Sequence, residues 1–600
     1  MKAATTPRTA RLNFDLKTPS FPQHLKRQTK IVATLGPASN SFEMLCKLAK
    51  AGVNVFRLNF SHSKPDYSNM EPVIEDIKKM KEELKDTMYR PAILCDLQGP
   101  KFRTGELEDH KPIEIKKGQI IKLVTGEHQK IGNANTITTG TPDAHVCVRK
   151  LAVGHRVLIN DGAVVLKVVK RLSSEELECE VLIGGIVSER KGINTPELEV
   201  PLPALTKKDK ADVKYICSKE IADFMALSFV QRAQDIVDLK LLMEASLPED
   251  AIMPKIISKI EKPQALEAID SILEETDGIM VARGDLGVEC SLQKLPSYQK
   301  LLIRKANQSR KSVITATQML ESMTNAAAPT RAEVSDVANA CFDGTDAVML
   351  SGESSIGKYP VETVNMMGEI CLEAEASVRD IAKMYRRSPV QTPPNVEGMV
   401  RFRYAMAHSA VTAANITSAN AIIFFCMSYE MACFISKQRP ACPIIIVTHD
   451  QKIYSLVSVL YGCHAVLLEE DENWKDSDSF LSAIESRVLQ VFGDSMEDQV
   501  VIFCAHRCAF PSLHNTIRMA RFGSATEKKG RLTKRGSVVG LVKPDHATPS
   551  KKKIEELEEG DAPAAEKTAD EAKEEGGKKE EGKKEEGKKE EGKKEEGKTA

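Results

Sequence analysis

The feature that most limits the fold of this chain is a series of eight short apolar runs, each of strand length, separated by amphipathic stretches of helical period between residues 30 and 385. That alternation is the pattern of a parallel sheet built from β/α units, and eight is the number at which such a sheet closes into a barrel. The runs are IVATLG (31–36), VNVFRLNF (53–60), AILCDLQG (92–99), DFMALSFV (223–230), KIISKIE (255–261), GIMVARGD (278–285), SVITATQM (312–319) and AVMLSGE (347–353). Most end in polar or charged residues after a buried body: Arg57, Asn59, Asp96, Lys259, Glu261, Arg283, Asp285 and Thr317. Barrels of this class carry their chemistry at the carboxyl ends of the strands, which makes these residues the candidate site.

The period breaks between the third and fourth runs, where alternation and turn signals (VLINDGAVVLKVVKRL) predict an inserted β lid, 104–193, within a (β/α)8 barrel formed by 30–103 and 194–387. After the proline-rich break SPVQTPPN (388–395), the strand-like runs AIIFFC, PIIIVTH, AVLLE and QVVIFCAH predict a second α/β domain with a parallel sheet over 388–523. A basic arm (1–29) precedes the barrel, and a Lys/Glu/Gly-rich tail (524–600) ends in four KKEEG units (578–597) that contain nothing apolar to bury. That tail is expected to be disordered, a solvated helix or a tether being the alternatives.

Lys+Arg (84) and Asp+Glu (85) nearly cancel, which argues against nucleic-acid or acidic-membrane partners and for small molecules. The 14 cysteines include no C-x₂-C pair, and several, such as Cys95 and Cys426, sit inside apolar runs, as expected of buried thiols in a reducing compartment. Cys504, His506 and Cys508 cluster without a second ligand pair at zinc spacing and are read the same way. No apolar stretch approaches the roughly 20 residues of a membrane helix, so a soluble, cytoplasmic protein is expected. The basic first residues resemble a short organellar transit peptide as much as a disordered arm.

Glu261 and Asp285 close the fifth and sixth runs, so both carboxylates face one rim and can share a hard divalent cation such as Mg²⁺. The competing reading pairs them with Lys259 and Arg283 in salt bridges. Lys259 lies two residues before Glu261, on the same strand face. Phosphoryl transfer depends on positioning and charge stabilisation, and Arg57, Lys259 and a metal form a suitable set. The stretch Gly352–Lys358 has P-loop glycine spacing, but Tyr359 stands where a Mg²⁺-binding hydroxyl is required, so a P-loop reading is rejected.

KIVATLGPAS, RLNFSH, KIISKIE, IMVARGDLGVE, TATQMLESM, PTRAEVSDVANA and DGTDAVMLSGE, in this order, resemble the barrel of the pyruvate kinases. The resemblance runs from about Lys30 to Asn515, weaker in the lid, where KGIN (191–194) remains, and weakest in the C-terminal domain. It implies transfer of a phosphoryl group from phosphoenolpyruvate to ADP, giving ATP and pyruvate in the last step of glycolysis. It implies Arg57 and Lys259 at the transferring phosphoryl, Mg²⁺ (or Mn²⁺ in its place) on Glu261 and Asp285, and the Gly284 amide at the substrate carboxylate. Thr317, with water and Ser351, would relay the proton to the enolate, while His62, Arg103 and Lys191 would hold ADP phosphates beneath the closing lid. An allosteric homotetramer is implied as well.

Two departures from the family pattern alter expectations. Where many members read D-T-K-G-P-E and bind K⁺ with Asn, Ser and Asp, this chain has Asp96-Leu-Gln-Gly-Pro-Lys101. Lys101 is expected to supply the monovalent charge near Asn59, Ser61 and Asp96, making K⁺ dispensable; Thr104, usual in K⁺-requiring members, and a solvent-facing Lys101 are the counter-reading. Where activated members carry a Thr/Ser/Gly-rich phosphate loop, this chain has Cys426-Met-Ser-Tyr-Glu-Met431, and the later loop CAHRCAFPS lacks Trp-Arg-Pro-Gly. Fructose 1,6-bisphosphate is therefore not expected to activate it, and any effector is unidentified. A silent scaffold and a Mg²⁺-enolate lyase compete with the kinase reading; the intact Arg57, Lys259, Glu261, Asp285 and Thr317 argue against the first, and the nucleotide-side set with its lid against the second.

Overall fold

The architecture comes from a computed structural model, which describes residues 26–125, 131–140, 144–198, 203–385, 398–469, 476–493, 496, 499–505 and 516–522. All eight apolar runs form strands: β1 (Lys30–Thr34), β2 (Val55–Asn59), β3 (Ala92–Asp96), β4 (Phe224–Leu227), β5 (Lys255–Ile260), β6 (Gly278–Ala282), β7 (Ser312–Ala316) and β8 (Ala347–Leu350). Each pairs in parallel with its sequence neighbour, and β8 pairs with β1 to close the barrel. The two strand faces bury into different cores. Side chains such as Ile31, Phe56 and Ile256 pack outward against the helices, while Val32, Val55 and Ile257 fill the barrel interior. This two-sided burial is why the runs read as continuously apolar rather than alternating.

The insertion between β3 and β4 folds as a seven-stranded sheet with a two-stranded companion. Its sheet takes in Phe102–Arg103 and Gly192–Asn194, which pair antiparallel, so the entry and exit of the lid lie side by side. Its described residues include the α-helix Ala144–Lys150. Alternation is clearest in Glu176–Ile183, where Leu177, Cys179 and Val181 bury into the lid's own core.

The third sheet has five strands: β9 (Ala421–Phe425), β10 (Ile444–Thr448), β11 (Cys463–Leu467), β12 (Val500–Ala505) and β13 (Thr516–Arg521), in the order β11-β10-β9-β12-β13. Four are the parallel strands read from the sequence; β13 is an unanticipated antiparallel edge strand, whose largely exposed residues supply no apolar run. Apolar side chains from the amino ends of the barrel strands and from this domain share one core. Cys95, Cys426 and Cys504 are buried free thiols; His506, Cys508, the proline-rich break and the tail lie outside the described residues. Among the described residues no helix is long and apolar enough to cross a membrane.

Candidate active site

At the carboxyl end of the barrel, four charged side chains from three strands meet in a buried cluster. Arg57 Nε lies 2.7 Å from Asp96 Oδ2, and Arg57 Nη1 donates to Thr34 Oγ1 at 2.9 Å. Lys259 Nζ lies 3.3 Å from Asp96 Oδ1 and 3.0 Å from Glu261 Oε1, and donates to Ser228 Oγ at 2.7 Å. The side chains of Asp96 and Glu261 are each 1 % exposed and that of Lys259 is 12 % exposed. Burial works against the Lys259 charge, yet Asp96 and Glu261 outweigh it and raise its pKa. Asp96 is lowered against its own burial by Lys259 and Arg57.

Glu261 follows the end of β5, and its Oε2 accepts the Phe229 amide at 2.7 Å. Its Oε1 is buried and lies 3.0 Å from Lys259 Nζ in an ion pair. Burial and the nearby Asp285 raise its pKa, partly opposed by Lys259. Asp285 does not end β6, as the sequence pattern suggested. The strand stops at Ala282, and Asp285 sits in the first turn of helix Arg283–Glu289, where an acid is favoured by the helix dipole. Two hard carboxylates, each facing one lysine ammonium, fit a divalent cation with open positions for substrate oxygens. Among the described residues no group of three or more His, Cys, Asp or Glu side chains is placed to hold a metal, so such an ion would rest on these two.

The expected salt bridges form only in part. Lys259 meets Glu261, but Arg283 turns away from the carboxylates to Asp336 (2.7 Å) and the Thr317 carbonyl (2.6 Å). Thr317 and Phe229 adopt left-handed backbone angles (φ 70° and 56°), the kind of strain that persists where surrounding structure imposes it. Thr317 Oγ1 accepts the Gly284 amide at 2.7 Å, so the amide assigned to a substrate carboxylate is held by the threonine in this structure. The Ser351 hydroxyl is buried without a partner.

Lys101 Nζ pairs with Asp285 Oδ1 at 2.8 Å. The ammonium thus goes to the metal-type carboxylate, while Asp96 is taken by Arg57 and Lys259, and Asn59 Oδ1 accepts the Ser61 amide at 3.2 Å. Lys101 holds Asp285 low against its burial. Thr104 bonds within the lid, accepting from the Lys191 amide and donating to the Ser188 carbonyl.

Beside the charged cluster opens a cavity of about 630 Å³ lined by Thr34, Pro37, Arg57, His62, Asn69 and Ser351 among others. Burial, then Arg103 and Arg57, lower the His62 pKa, so His62 shares a positive field with the lid residue Arg103. Arg103 and Lys191 belong to the adjoining entry and exit of the lid, where Arg103 pairs in register with Gly192. The glycine-spaced stretch after β8 is a short helix whose Glu353 accepts the Leu320 and Ser351 amides, a structural cap.

A model described as the barrel domain of pyruvate kinase matches residues 26–364, and one described as its alpha/beta domain matches residues 404–520. The chain belongs to the pyruvate kinase family. A pyruvate kinase from Geobacillus stearothermophilus is 41% identical over 73% of this chain and 71% of its own length. A cytosolic pyruvate kinase from Solanum tuberosum is 40% identical over 70% of this chain and 79% of its own. A crystal structure of a pyruvate kinase from Cryptosporidium parvum superposes with a TM-score of 0.72 at 33% identity, covering 83% of this chain and 97% of that one.

Against this pyruvate kinase frame, sequence reading passed over Thr34, Ser228 and Lys208. Thr34 and Ser228 stand at the ends of the β1 and β4 runs, so strand-end polarity was available as a signal. Lys208 gives none: it reaches the Phe60 carbonyl (2.6 Å), Ser63 and Asp212 from another part of the chain.

Proposed function

We propose that this pyruvate kinase family member moves the phosphoryl group of phosphoenolpyruvate to ADP, with Arg57 and Lys259 on the transferring oxygens. The observation that carries this reading is the buried cluster in which Arg57, Asp96, Lys259 and Glu261 meet at the carboxyl end of the barrel, where the two carboxylates raise the Lys259 pKa against its burial. Glu261 and Asp285 would hold Mg²⁺, or Mn²⁺ in its place, which when bound neutralises charge on substrate oxygens. Arg57 and Lys259 meet the charge that spreads over the equatorial phosphoryl oxygens as the C–O–P bridge opens and an ADP oxygen closes on phosphorus. The Gly284 amide passes from Thr317 to the substrate carboxylate, freeing the Thr317 hydroxyl, with water and the unpartnered Ser351, to deliver a proton to the enolate carbon. His62, Arg103 and Lys191 take the ADP phosphates beside the large cavity, and lid closure excludes water.

The finer assignment is a K⁺-independent enzyme that fructose 1,6-bisphosphate does not activate. Lys101 carries a fixed ammonium into the rim against Asp285, and Thr104 is committed to the lid. At the start of the helix after β9 (Tyr429–Lys437), Tyr429 is buried and Glu430 faces Arg403, leaving a carboxylate where a phosphate would need hydroxyls and amides. The division into 1–29, 30–103 with 194–387, 104–193, 388–523 and 524–600, with the lid's edge strands Phe102–Arg103 and Gly192–Asn194 straddling the lid bounds, a cytoplasmic homotetramer and an unidentified effector complete the proposal.

The test follows pyruvate formation from phosphoenolpyruvate, ADP and Mg²⁺ in a buffer whose only monovalent cation is a bulky organic one, then after K⁺ is added. Full activity without K⁺ supports both readings. Activity only with K⁺ removes the Lys101 assignment, and none under either condition removes the kinase reading.

A further inference from the structure

One buried carboxylate oxygen is a point at which the exit strand of the lid meets the barrel. Asn194, the last residue of the lid's exit strand, donates its Nδ2 to Glu289 Oε1 at 2.8 Å, and Lys262 Nζ lies 2.7 Å from the same oxygen. The Glu289 side chain is 2 % exposed. Lys262 directly follows Glu261 and faces the Phe229 ring at 6.0 Å, and the Phe229 amide binds Glu261 Oε2. Glu289 ends the helix whose first turn holds Asp285. One oxygen therefore ties the exit of the lid to the two segments that carry both metal-type carboxylates.

We propose that Glu289 is a positioning residue that makes lid closure and the seating of Glu261 and Asp285 one event. A merely structural ion pair would need only Lys262 and Glu289. Here Asn194 shares the oxygen, so a lid that swings out draws on a carboxylate buried against Lys262, and losing either partner leaves a buried polar group poorly compensated. Asn194 Oδ1 is buried without a partner, so the Nδ2 contact to Glu289 is the hydrogen bond by which this side chain is anchored. The expected consequence falls on the substrate that the lid covers, ADP in the reading above, on which this part of the inference rests.

The experiment compares Asn194→Ala, Glu289→Gln, Glu289→Ala and the double alanine variant, using hydrogen exchange at the Gly192–Asn194 amides without substrates and steady-state kinetics with both. Both single alanine variants should speed exchange at those amides and raise the KM for ADP about tenfold, with the KM for phosphoenolpyruvate within about twofold, as for supporting residues around a site. Glu289→Gln keeps an acceptor for Asn194 and should restore most of the ADP KM; the double variant should be no worse than Glu289→Ala. Unchanged exchange, equal effects on both substrates, or additive effects in the double variant would overturn the proposal. Asn194→Ala leaves the buried ion pair whole, so the test stands even if Glu289→Ala does not fold. Absence of turnover in the unaltered chain would sink the kinase reading, while the exchange data would still decide whether this contact seats the lid.

Discussion

The rim and the floor of the barrel each bury a cluster of charged side chains, and they use their carboxylates differently. On the floor, Asp346 stands just before β8; its Oδ1 accepts from Arg439 at 2.8 Å, and its Oδ2 accepts the Val313 amide at 2.8 Å and pairs with Lys437. Lys437 also reaches Asn307 Oδ1 at 2.7 Å, and the Arg439 guanidinium lies 4.0 Å over the Tyr461 ring. Both oxygens of that carboxylate are committed, and the cluster joins the barrel to the C-terminal domain. On the rim, Glu261 Oε1 is met by the Lys259 ammonium and by no backbone amide, and Arg57 of the same cluster lines a cavity. A buried ion cluster by itself says little about function, because structural clusters look alike. What separates the two is their setting: the rim cluster borders a cavity through Arg57, while the floor cluster joins the barrel to the C-terminal domain.

The widest separation should come from neutralising each carboxylate. Glu261→Gln should lower kcat by roughly 10⁴, the scale of losing a member of a cooperating catalytic unit, with no loss of thermal stability. A normal kcat would place the metal elsewhere. Asp346→Asn should do the reverse, costing about 3–5 kcal/mol in denaturant unfolding because the buried Lys437 and the half-buried Arg439 lose their partner, with KM values unchanged in the folded fraction. If Asp346→Asn impaired turnover at full stability, the distinction between floor and rim would collapse.

This division of labour was only half legible in the sequence. Strand-length runs located all eight barrel strands, and their polar ends yielded Arg57, Asp96, Lys259 and Glu261, because strand period fixes direction locally. Pairings set by tertiary approach were not legible. Lys101 and Asp285 meet across 184 residues of chain, and the Lys437–Asp346 contact joins two domains. Glu289 reads as an ordinary helix residue until Asn194 and Lys262 arrive from elsewhere, and the antiparallel β13 offers no apolar run. Asp285 was identified as a site residue but misplaced by one helical turn, since an apolar run does not mark where a strand gives way to a helix.

Lys101 sharpens the comparison within the rim. If its ammonium replaces a monovalent ion, Lys101→Gln should reduce activity in the organic-cation buffer about tenfold, the scale of losing a charge-assisted contact, and K⁺ should recover most of it. Recovery would show that the site needs the charge rather than the side chain. An equal loss with and without K⁺ would mean that Lys101 only orients Asp285.

The smallest effect concerns two buried lysines driven in opposite directions. On the rim, Asp96 and Glu261 outweigh the burial of Lys259 and raise its pKa. On the floor, Lys30 donates to the Cys463 carbonyl at 2.5 Å. Burial, reinforced by the positive charge of Arg27, pushes its pKa down to about 7 from 10.5, with Cys463 and Glu375 opposing too weakly to restore it. Below pH 7 Lys30 is charged in both folded and unfolded chains, and its burial cost is constant. Between about 7 and 10.5 the unfolded chain holds a proton that the folded chain has released, so the Lys30 contribution to stability rises with pH. Unfolding free energies of the unaltered chain minus those of Lys30→Met should therefore increase above pH 7, by less than ~1.4 kcal/mol per pH unit, the limit for one proton. A flat difference would mean that Lys30 keeps its proton in the fold, and that a carbonyl can hold an ammonium on the floor as firmly as carboxylates do on the rim.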